Sequence, residues 1–295
     1  MKVLNYGSLN IDYVYGVENF VADGETINSL SYDIYAGGKG LNQSVALSRA
    51  GFNVYHAGKI GNDGLFLKKL LDDENIDTSN IRVYDKESGH AVIQVDAAGR
   101  NSIIVHGGAN RRIERAEIDS CLFHFSKGDV LILQNETNKI SYLIDEAYRR
   151  EMFIAINPAP MNEAVKSYPL DKVSLLILNE NEGHSLAKET DPFKLIEVLH
   201  KAYPKPTILL TLGKEGSLCF HNGKLYRQGI YKVKAIDTIA AGDTFCGYFL
   251  KSFLEGCGVG CALDTAARAA AICVSRKGAA TSIPFPEELT QFYNK

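Results

Sequence analysis

Several features are missing from this 295-residue sequence, and each absence excludes a class of protein. The sequence has no tryptophan, only eight prolines, and no apolar run near the roughly 20 residues that a membrane helix needs. Its N-terminus lacks the apolar core of about 7–15 residues typical of a secretory signal. No proline- or serine-rich linker and no charge block divides the chain. We therefore expect a cytoplasmic protein that forms a single unit over residues 1–295.

The sequence also lacks a large excess of charge of one sign. The 32 lysines and arginines nearly balance 35 aspartates and glutamates, which leaves a net charge of −3. Nucleic acids and anionic membranes usually select strongly basic proteins, so neither is an expected partner. The six cysteines include no Cys-x-x-Cys pair, and the seven histidines show no metal-binding spacing. We predict reduced thiols and no zinc site.

Two phosphate-binding glycine motifs are absent as well. The sequence contains neither Gly-x-x-x-x-Gly-Lys-[Ser/Thr] nor Gly-x-Gly-x-x-Gly. The first motif cradles the phosphates of P-loop enzymes, and the second binds dinucleotides at a helix start. Their absence disfavours both a P-loop enzyme and a nicotinamide dehydrogenase.

Short apolar segments alternate with helical segments along the chain. Strands are predicted over residues 2–7, 54–57, 129–134, 153–156, 174–178 and 207–211, and helices over 39–50, 63–74, 140–151, 243–255 and 260–275. Continuous apolar strands are typical of strands buried on both faces. Their alternation with helices predicts an α/β fold with three layers, α/β/α, around a mostly parallel central sheet.

Four further segments have the alternating pattern of half-buried strands. They cover residues 12–17, 30–35, 91–95 and 102–105, the last two forming a hairpin. We predict a small antiparallel β lid made by segments of approximately 12–36 and 89–106. Because both of its faces carry apolar residues, one face could cover a ligand and the other could meet a second copy of the chain. An edge hairpin packed on the main sheet is the alternative.

The most informative segment is Asp237-Thr238-Ile239-Ala240-Ala241-Gly242-Asp243-Thr244-Phe245. Small residues before a predicted helix let backbone N–H groups approach an anion, and the helix N-terminus adds partial positive charge. Asp243 at this terminus is a candidate to accept a proton from an incoming hydroxyl. The alternative is an aspartate that caps a core helix.

Other polar residues follow predicted strands or begin a predicted helix. Residues 37–42 read Gly-Gly-Lys-Gly-Leu-Asn at a helix start, while Asn10, Asp12 and Glu136 follow strands. Open α/β sheets bind ligands at the carboxyl ends of their strands. Residues 179–182, Asn-Glu-Asn-Glu, suit Mg²⁺ held through water beside a phosphate. Each segment alone could be a solvated loop or an ordinary helix start, but together they predict one site.

These motifs resemble those of the ribokinase (PfkB-type) carbohydrate kinases, over nearly the whole chain. Residues 36–42 resemble the family's Gly-Gly-Lys-Gly-x-Asn signature. Residues 237–245 resemble its highly specific Asp-Thr-x-Ala-[Ala/Gly]-Gly-Asp signature. Further matching segments follow in the family's order: 7–12, 157–160, 179–182, 211–213 and 276–279.

The resemblance implies ATP-dependent phosphorylation of a sugar hydroxyl, with conversion of D-ribose to D-ribose 5-phosphate as the expected reaction. Asp243 would be the general base, in an anion hole lined by Ala240, Ala241 and Gly242. The implied sugar-binding residues are Asn10, Asp12, Gly38, Lys39, Asn42 and Glu136.

The resemblance also implies cofactors and a partner. ATP would lie near Asn179, Thr211, Gly213 and Gly242, with Mg²⁺ held through water by Asn179 and Glu182. Potassium would activate the enzyme at a monovalent-cation site. The implied residues of that site are Asp237, Ile239, Cys273, Arg276, Gly278 and Ser282. The lid is expected to form a homodimer contact.

The residues leave alternative functions open. Asn10 and the form of residues 36–42 favour ribose, but 2-deoxyribose, fructose or another small sugar remains possible. A nucleoside kinase for adenosine or uridine needs an aromatic platform, which Tyr13, Tyr15 or Tyr35 could supply. A non-catalytic sugar-binding protein on the same fold is disfavoured because the base, anion-hole and metal residues are all present.

Overall fold

The computed structural model describes residues 1–292; residues 293–295, the end of the predicted unit, lie outside the described residues. Thirteen strands are found there: β1 (Val3–Tyr6), β2 (Asn10–Gly16), β3 (Ser31–Gly37), β4 (Val54–Gly61), β5 (Asp77–Tyr84), β6 (Gly89–Val95), β7 (Asn101–His106), β8 (Val130–Gln134), β9 (Phe153–Asn157), β10 (Leu175–Asn179), β11 (Thr207–Thr211), β12 (Ser217–His221) and β13 (Lys224–Gln228). Nine of them form the main sheet, in the order β13-β12-β11-β10-β9-β8-β1-β4-β5. It is parallel from β5 to β11, as predicted, and antiparallel at β12 and β13.

The same residues contain nine α-helices: α1 (Lys39–Arg49), α2 (Leu65–Asp73), α3 (Arg115–Leu122), α4 (Ile140–Arg149), α5 (Glu180–Ala187), α6 (Pro192–Ala202), α7 (Ala241–Leu254), α8 (Val259–Val274) and α9 (Pro286–Phe292). None of these helices is long and apolar enough to cross a membrane.

Each buried strand contributes to two separate hydrophobic cores. In β8, Val130 and Ile132 belong to the core shared with α1, α2, α7 and α8, whereas Leu131 and Leu133 belong to the core shared with α3, α4 and α6. Successive side chains of a strand point to opposite faces, so this division places helices on both faces of the sheet. The predicted three-layer α/β/α architecture is confirmed.

The four remaining strands form the lid sheet, in the order β3-β2-β6-β7. All four match the predicted lid segments. The outer pairs β2·β3 and β6·β7 are antiparallel, whereas the central pair β2·β6 is parallel. A long connection through the main sheet separates β2 from β6, and such crossovers allow parallel pairing.

Both edges of the main sheet contain strands that the sequence pattern did not predict. β5 reads Asp-Thr-Ser-Asn-Ile-Arg-Val-Tyr, whose polar first half hides the strand. The β12·β13 hairpin turns at Asn222-Gly223, where both residues have positive φ. Asn-Gly between two short strands is a strong hairpin signal, and it would have revealed this pair.

Candidate active site

Asp243 lies in the first turn of α7 and is only 7% exposed. Its carboxylate accepts hydrogen bonds from two neutral amides of α1: Gln43 Nε2 at 3.0 Å and Asn42 Nδ2 at 3.3 Å. Asn42 Oδ1 is buried and has no partner in the described chain. A ligand hydroxyl that donates to this oxygen would stand beside Asp243.

The start of α7 offers an open position for an anion. Ala240 precedes the helix in the left-handed conformation, and no side chain of residues 1–292 caps the first turn. A Cβ built on Gly242 would meet no atom of the described residues within 4 Å, and the same holds for Gly213 after β11. Uncapped helix N–H groups beside open space suit a phosphate.

Asp12 and Glu136 bring two carboxylates together at the lid end of the site. Glu136 Oε2 accepts hydrogen bonds from the Ser8 hydroxyl and from the backbone N–H of Lys39, the latter at 2.8 Å. Burial, reinforced by the nearby charge of Glu136, raises the pKa of Asp12 from 3.8 to about 7. The pair therefore provides strong acceptors for ligand hydroxyls, although one of them ionises reluctantly.

Asn10, at the start of β2, is held by a residue outside the predicted set. The Asn110 side chain donates to Asn10 Oδ1 at 2.7 Å and to the Leu9 carbonyl at 3.1 Å. Asn110 also accepts from the Leu9 N–H at 3.0 Å, so its orientation is determined by the backbone. Both side chains are buried.

The glycines of residues 37–40 have separate roles. Gly38 precedes α1 with φ of 96°, a conformation that favours glycine. A Cβ on Gly40 would collide with the backbone of Gly7 and Ser8, so this glycine lets α1 approach the end of β1. The approach brings Lys39 and Asn42 to the carboxyl edge of the sheet.

Lys39 connects the two ends of the site electrostatically. Burial alone would lower the pKa of its ammonium, but the charges of Asp243, Glu136 and Glu182 outweigh burial and raise it. One cation therefore faces carboxylates that follow β8 and begin α5 and α7. Such a position favours binding of an anionic phosphoryl group between them.

Glu182 and Asn179 form a reciprocal cap at the start of α5. Asn179 donates to Glu182 through its backbone N–H at 2.9 Å and its side chain at 2.8 Å, and accepts from the Glu182 N–H at 2.9 Å. Burial raises the pKa of Glu182. The helix-start alternative is therefore part of the structure, and a carboxylate buried in this way is of a kind that a hydrated Mg²⁺ would stabilise. No three His, Cys, Asp or Glu side chains cluster as metal ligands within residues 1–292.

The six residues predicted for the monovalent cation are connected by short contacts. The contacts are Asp237 Oδ1 with the Ile239 N–H (3.0 Å), Asp237 Oδ2 with the Gly278 N–H (3.1 Å), Cys273 Sγ with Ser282 Oγ (3.1 Å) and with the Ile239 carbonyl (3.7 Å), and the Arg276 N–H with the Cys273 carbonyl (3.1 Å). A carboxylate, backbone carbonyls and a hydroxyl are the oxygen donors that suit K⁺.

Comparison with known proteins shows the family to which this chain belongs. The family described as pfkB family carbohydrate kinase matches residues 1–286. The chain belongs to this family. It is a carbohydrate kinase.

Two relatives and one solved structure match this carbohydrate kinase over almost their whole lengths. It is 34% identical over 296 residues to a ribokinase of Haemophilus influenzae, with 97% of this chain and 96% of the relative covered. It is 28% identical over 303 residues to a deoxyribokinase of Salmonella typhi, covering 99% and 98%. The structure of Arabidopsis thaliana ribokinase complexed with ribose and ATP superposes with a TM-score of 0.87 at 27% identity, covering 99% of this chain and 98% of that one.

Several residues that support the kinase site escaped the sequence analysis. Ser8, Gln43 and Asn110 touch predicted site residues, and Asn5 and Gln134 lie behind them. A signal existed for Gln134, because an amide at the end of the apolar run of β8 is an unusual core residue. Gln43 directly follows the glycine-rich signature. Asn110 lies in a short loop with no pattern that distinguishes it.

Proposed function

We propose that this carbohydrate kinase transfers the γ-phosphoryl group of ATP to the 5-hydroxyl of D-ribose. One observation carries the proposal: the buried Asp243 carboxylate lies at the uncapped start of α7, beside the free acceptor of Asn42. A proton acceptor, an anion position and a hydroxyl position thus occur together. The ribokinase relatives and the ribose and ATP complex support ribose as the sugar.

In the proposed reaction, Asp243 accepts the proton of the attacking hydroxyl. General bases of this kind typically contribute a factor of about 10²–10⁴. Gln43 and Asn42 donate to the carboxylate, so it is held in one orientation before substrate arrives. Alignment of the hydroxyl with the phosphoryl group then supplies the rest of the positioning effect.

Negative charge on the transferred phosphoryl group would be stabilised from two sides. The N–H groups at the start of α7, near Ala241 and Gly242, and the Lys39 ammonium would stabilise the phosphoryl oxygens. Mg²⁺ held through water by Asn179 and Glu182 would neutralise further charge on the ATP phosphates. Thr211, which ends β11, and Gly213, which follows that strand, would lie near the nucleotide.

The sugar side is rich in polar groups. Asp12, Glu136, Asn10, Asn42 and Lys39 offer acceptors and donors to ligand hydroxyls. A sugar that lacks one hydroxyl would leave a buried partner unpaired, which can cost as much as about 10⁴-fold in discrimination. The deoxyribokinase relative makes 2-deoxyribose the second candidate.

The tyrosines considered for a nucleoside platform are largely engaged elsewhere. The Tyr13 ring packs edge-on against His90 at 5.7 Å, and the Tyr15 ring lies 5.0 Å from that of Tyr32. Tyr35 stays exposed. The ring contacts of Tyr13 and Tyr15 weaken the case for a nucleoside, whose platform would then have to come from Tyr35.

Potassium activation, a lid-mediated homodimer and a cytoplasmic location complete the proposal. The oxygen donors gathered around Asp237 support the cation. Exposed apolar residues on the lid, such as Ile34 and Ile104, support a second copy as partner. All six cysteines are free thiols, as in a reducing compartment.

A coupled ADP-release assay with ATP and Mg²⁺ tests the proposal. The panel is D-ribose, 2-deoxy-D-ribose, D-fructose, adenosine and uridine, in potassium and in tetramethylammonium buffers. We expect the highest kcat/KM with ribose and faster turnover in potassium. Preference for another panel member would overturn ribose as substrate, and equal rates in the two buffers would overturn the cation site.

A further inference from the structure

A chain of three buried amides runs from the backbone of α1 to the carboxylate of Asp243. Gln43 donates to Asp243 Oδ1 at 3.0 Å, and Gln43 Oε1 accepts from Gln134 Nε2 at 2.7 Å. The same Gln134 nitrogen donates to Asn5 Oδ1 at 3.0 Å. Asn5 in turn donates to the Gly40 carbonyl at 2.8 Å. We call Asn5, Gln134 and Gln43 the amide relay.

The direction of every hydrogen bond in the amide relay follows from its first partner. A backbone carbonyl only accepts, so the Gly40 carbonyl requires the NH₂ group of Asn5. Asn5 must then present its oxygen to Gln134, and Gln134 must present its NH₂ group to both neighbours. Gln43 is left with its oxygen toward Gln134 and its NH₂ group toward Asp243.

The opposite end of the amide relay demands the same orientation. An ionised carboxylate only accepts, so Asp243 requires an N–H from Gln43. A protonated Asp243 that donated through Oδ1 would meet the NH₂ group and leave that donor unpaired. Both ends of the amide relay thus agree when Asp243 Oδ1 accepts a hydrogen bond, as the oxygens of a carboxylate base do.

Burial strengthens the preference of the amide relay for this one orientation of its hydrogen bonds. Asn5, Gln43 and Gln134 are at most 2% exposed, and no charged side chain donates to or accepts from any of them except Asp243, within residues 1–292. Beyond Asn5, Ser44 receives a further N–H and hydrogen-bonds the His56 ring at 2.8 Å. Burial lowers the pKa of His56 to about 3, so that end of the network is neutral.

We propose that the amide relay is a positioning device: the Gly40 carbonyl fixes the orientation of Asn5, Gln134 and Gln43 in turn, and Gln43 holds the Asp243 carboxylate oriented toward the reacting hydroxyl. Gln134 and Asn5 reach neither substrate nor Asp243 and act through Gln43. The proposal rests on the proposed function, because it presumes that Asp243 is the base.

Kinetics of Gln43→Met and Gln134→Met, at saturating sugar and ATP, test the amide relay. Loss of a hydrogen bond to a charged group predicts a fall in kcat of roughly 10- to 100-fold for Gln43→Met, with KM for the sugar little changed. The titratable groups that face Asp243 (Lys39, Glu182, Cys246 and Cys273) are unchanged in both variants.

Gln134→Met should lower kcat by less than Gln43→Met, with KM for the sugar again little changed, because Gln43 keeps its N–H but loses the partner that orients it. Gln134 Oε1 accepts no hydrogen bond within the described chain, so this variant leaves no donor unpaired at that oxygen. The double variant should lose no more kcat than Gln43→Met, since Gln134 acts through Gln43. Additive losses of kcat, or single variants that keep the wild-type kcat, would overturn the proposal.

Two controls separate the possible failures. Thr207→Val removes a buried hydroxyl that bonds His221 at the start of β11, and its kcat and sugar KM should match the wild type. Asp243→Asn tests the base itself: if it keeps full kcat, the proposed function fails at Asp243 whatever the amide relay does. If Gln43→Met does not fold, as judged by circular dichroism, the kcat and sugar KM of Gln134→Met decide alone.

Discussion

The carboxyl edge of the main sheet and the lid sheet differ in how completely they are packed. Every residue of β8 is buried, whereas every residue of β7 in the lid is exposed. At the edge of the main sheet, Asn5, Gln43, Gln134 and Asp243 hold one another through short hydrogen bonds. In the lid, Ile104 is 68% exposed on a bare face.

The difference shows which part of this kinase is packed before a ligand binds and which part is not. Most buried polar groups at the catalytic edge are paired within the chain, and the unpaired Asn42 Oδ1 is left as a position for a ligand. An exposed apolar sheet face is costly until something covers it. We therefore expect substitutions at the main-sheet edge to change chemistry, and substitutions in the lid to change association.

The largest effect on turnover is expected from substitution of Asp243, which lies in the packed region at the edge of the main sheet. Asp243→Asn keeps the shape of the side chain but removes the proton acceptor, so kcat should fall by at least about 10²-fold. Sugar affinity should persist, because Asp12 and Glu136 are untouched. Steady-state kinetics and calorimetric titration with ribose measure the two quantities. Near-normal turnover would remove Asp243 from its role.

A smaller effect, dependent on pH, is expected at Asp12, where the lid meets the main sheet. The pKa of Asp12 is raised to about 7 by burial and by Glu136. Sugar hydroxyls donate to the ionised carboxylate, so each pH unit below 7 should weaken ribose binding by up to about tenfold, with a plateau above 7. Titrations between pH 5.5 and 8.5 measure this, and Asp12→Asn should abolish the dependence.

The same shift affects the stability of the ligand-free protein. Between the ordinary value of 3.8 and about 7, the folded protein binds more protons at Asp12 than the unfolded chain does. The Asp12 contribution to the free energy of unfolding therefore falls as pH rises through this range. The Tm of Asp12→Asn should overtake that of the wild type as pH increases toward 8. Parallel Tm curves would contradict the shift.

The smallest effect on turnover is expected in the lid. Ile104→Glu places a charge on its exposed face, and sedimentation should show a shift from dimer to monomer with little change in kcat. Burial of an isoleucine contributes about 1.5–3 kcal/mol, so the dimer Kd should rise at least about tenfold. Phe123→Glu, another exposed apolar residue that follows α3, is the matched control and should leave the dimer intact. Equal sedimentation of both variants with the wild type would argue against a lid-mediated dimer.

The amount that could be predicted from sequence differs along the chain for physical reasons. The strands of the buried sheet were predictable because burial on both faces requires continuous apolar runs. β5 was missed because an edge strand can be polar on its exposed face. The parallel pairing of β2 with β6 was not predictable, since alternation identifies a strand but not its neighbour.

The candidate site shows the same division. Asp243, Asn42 and Glu136 were predictable because glycine-rich segments and strand ends indicate where ligands bind. Ser8 and Asn110 were not, since their importance lies in partners roughly 100 residues or more away in the chain. Gln43 was overlooked beside Asn42 because nothing local distinguishes a buried glutamine from an exposed one.

The sequence by itself determined the three-layer fold, the lid segments and the membership in a kinase family, because periodicity and glycine motifs are local properties. Only the tertiary structure decided which polar groups share a site and which way each amide points. Those outcomes depend on contacts such as that between Gln43 and Asp243, 200 residues apart. Burial then decides their energies, because an amide excluded from water must find its partner within the fold.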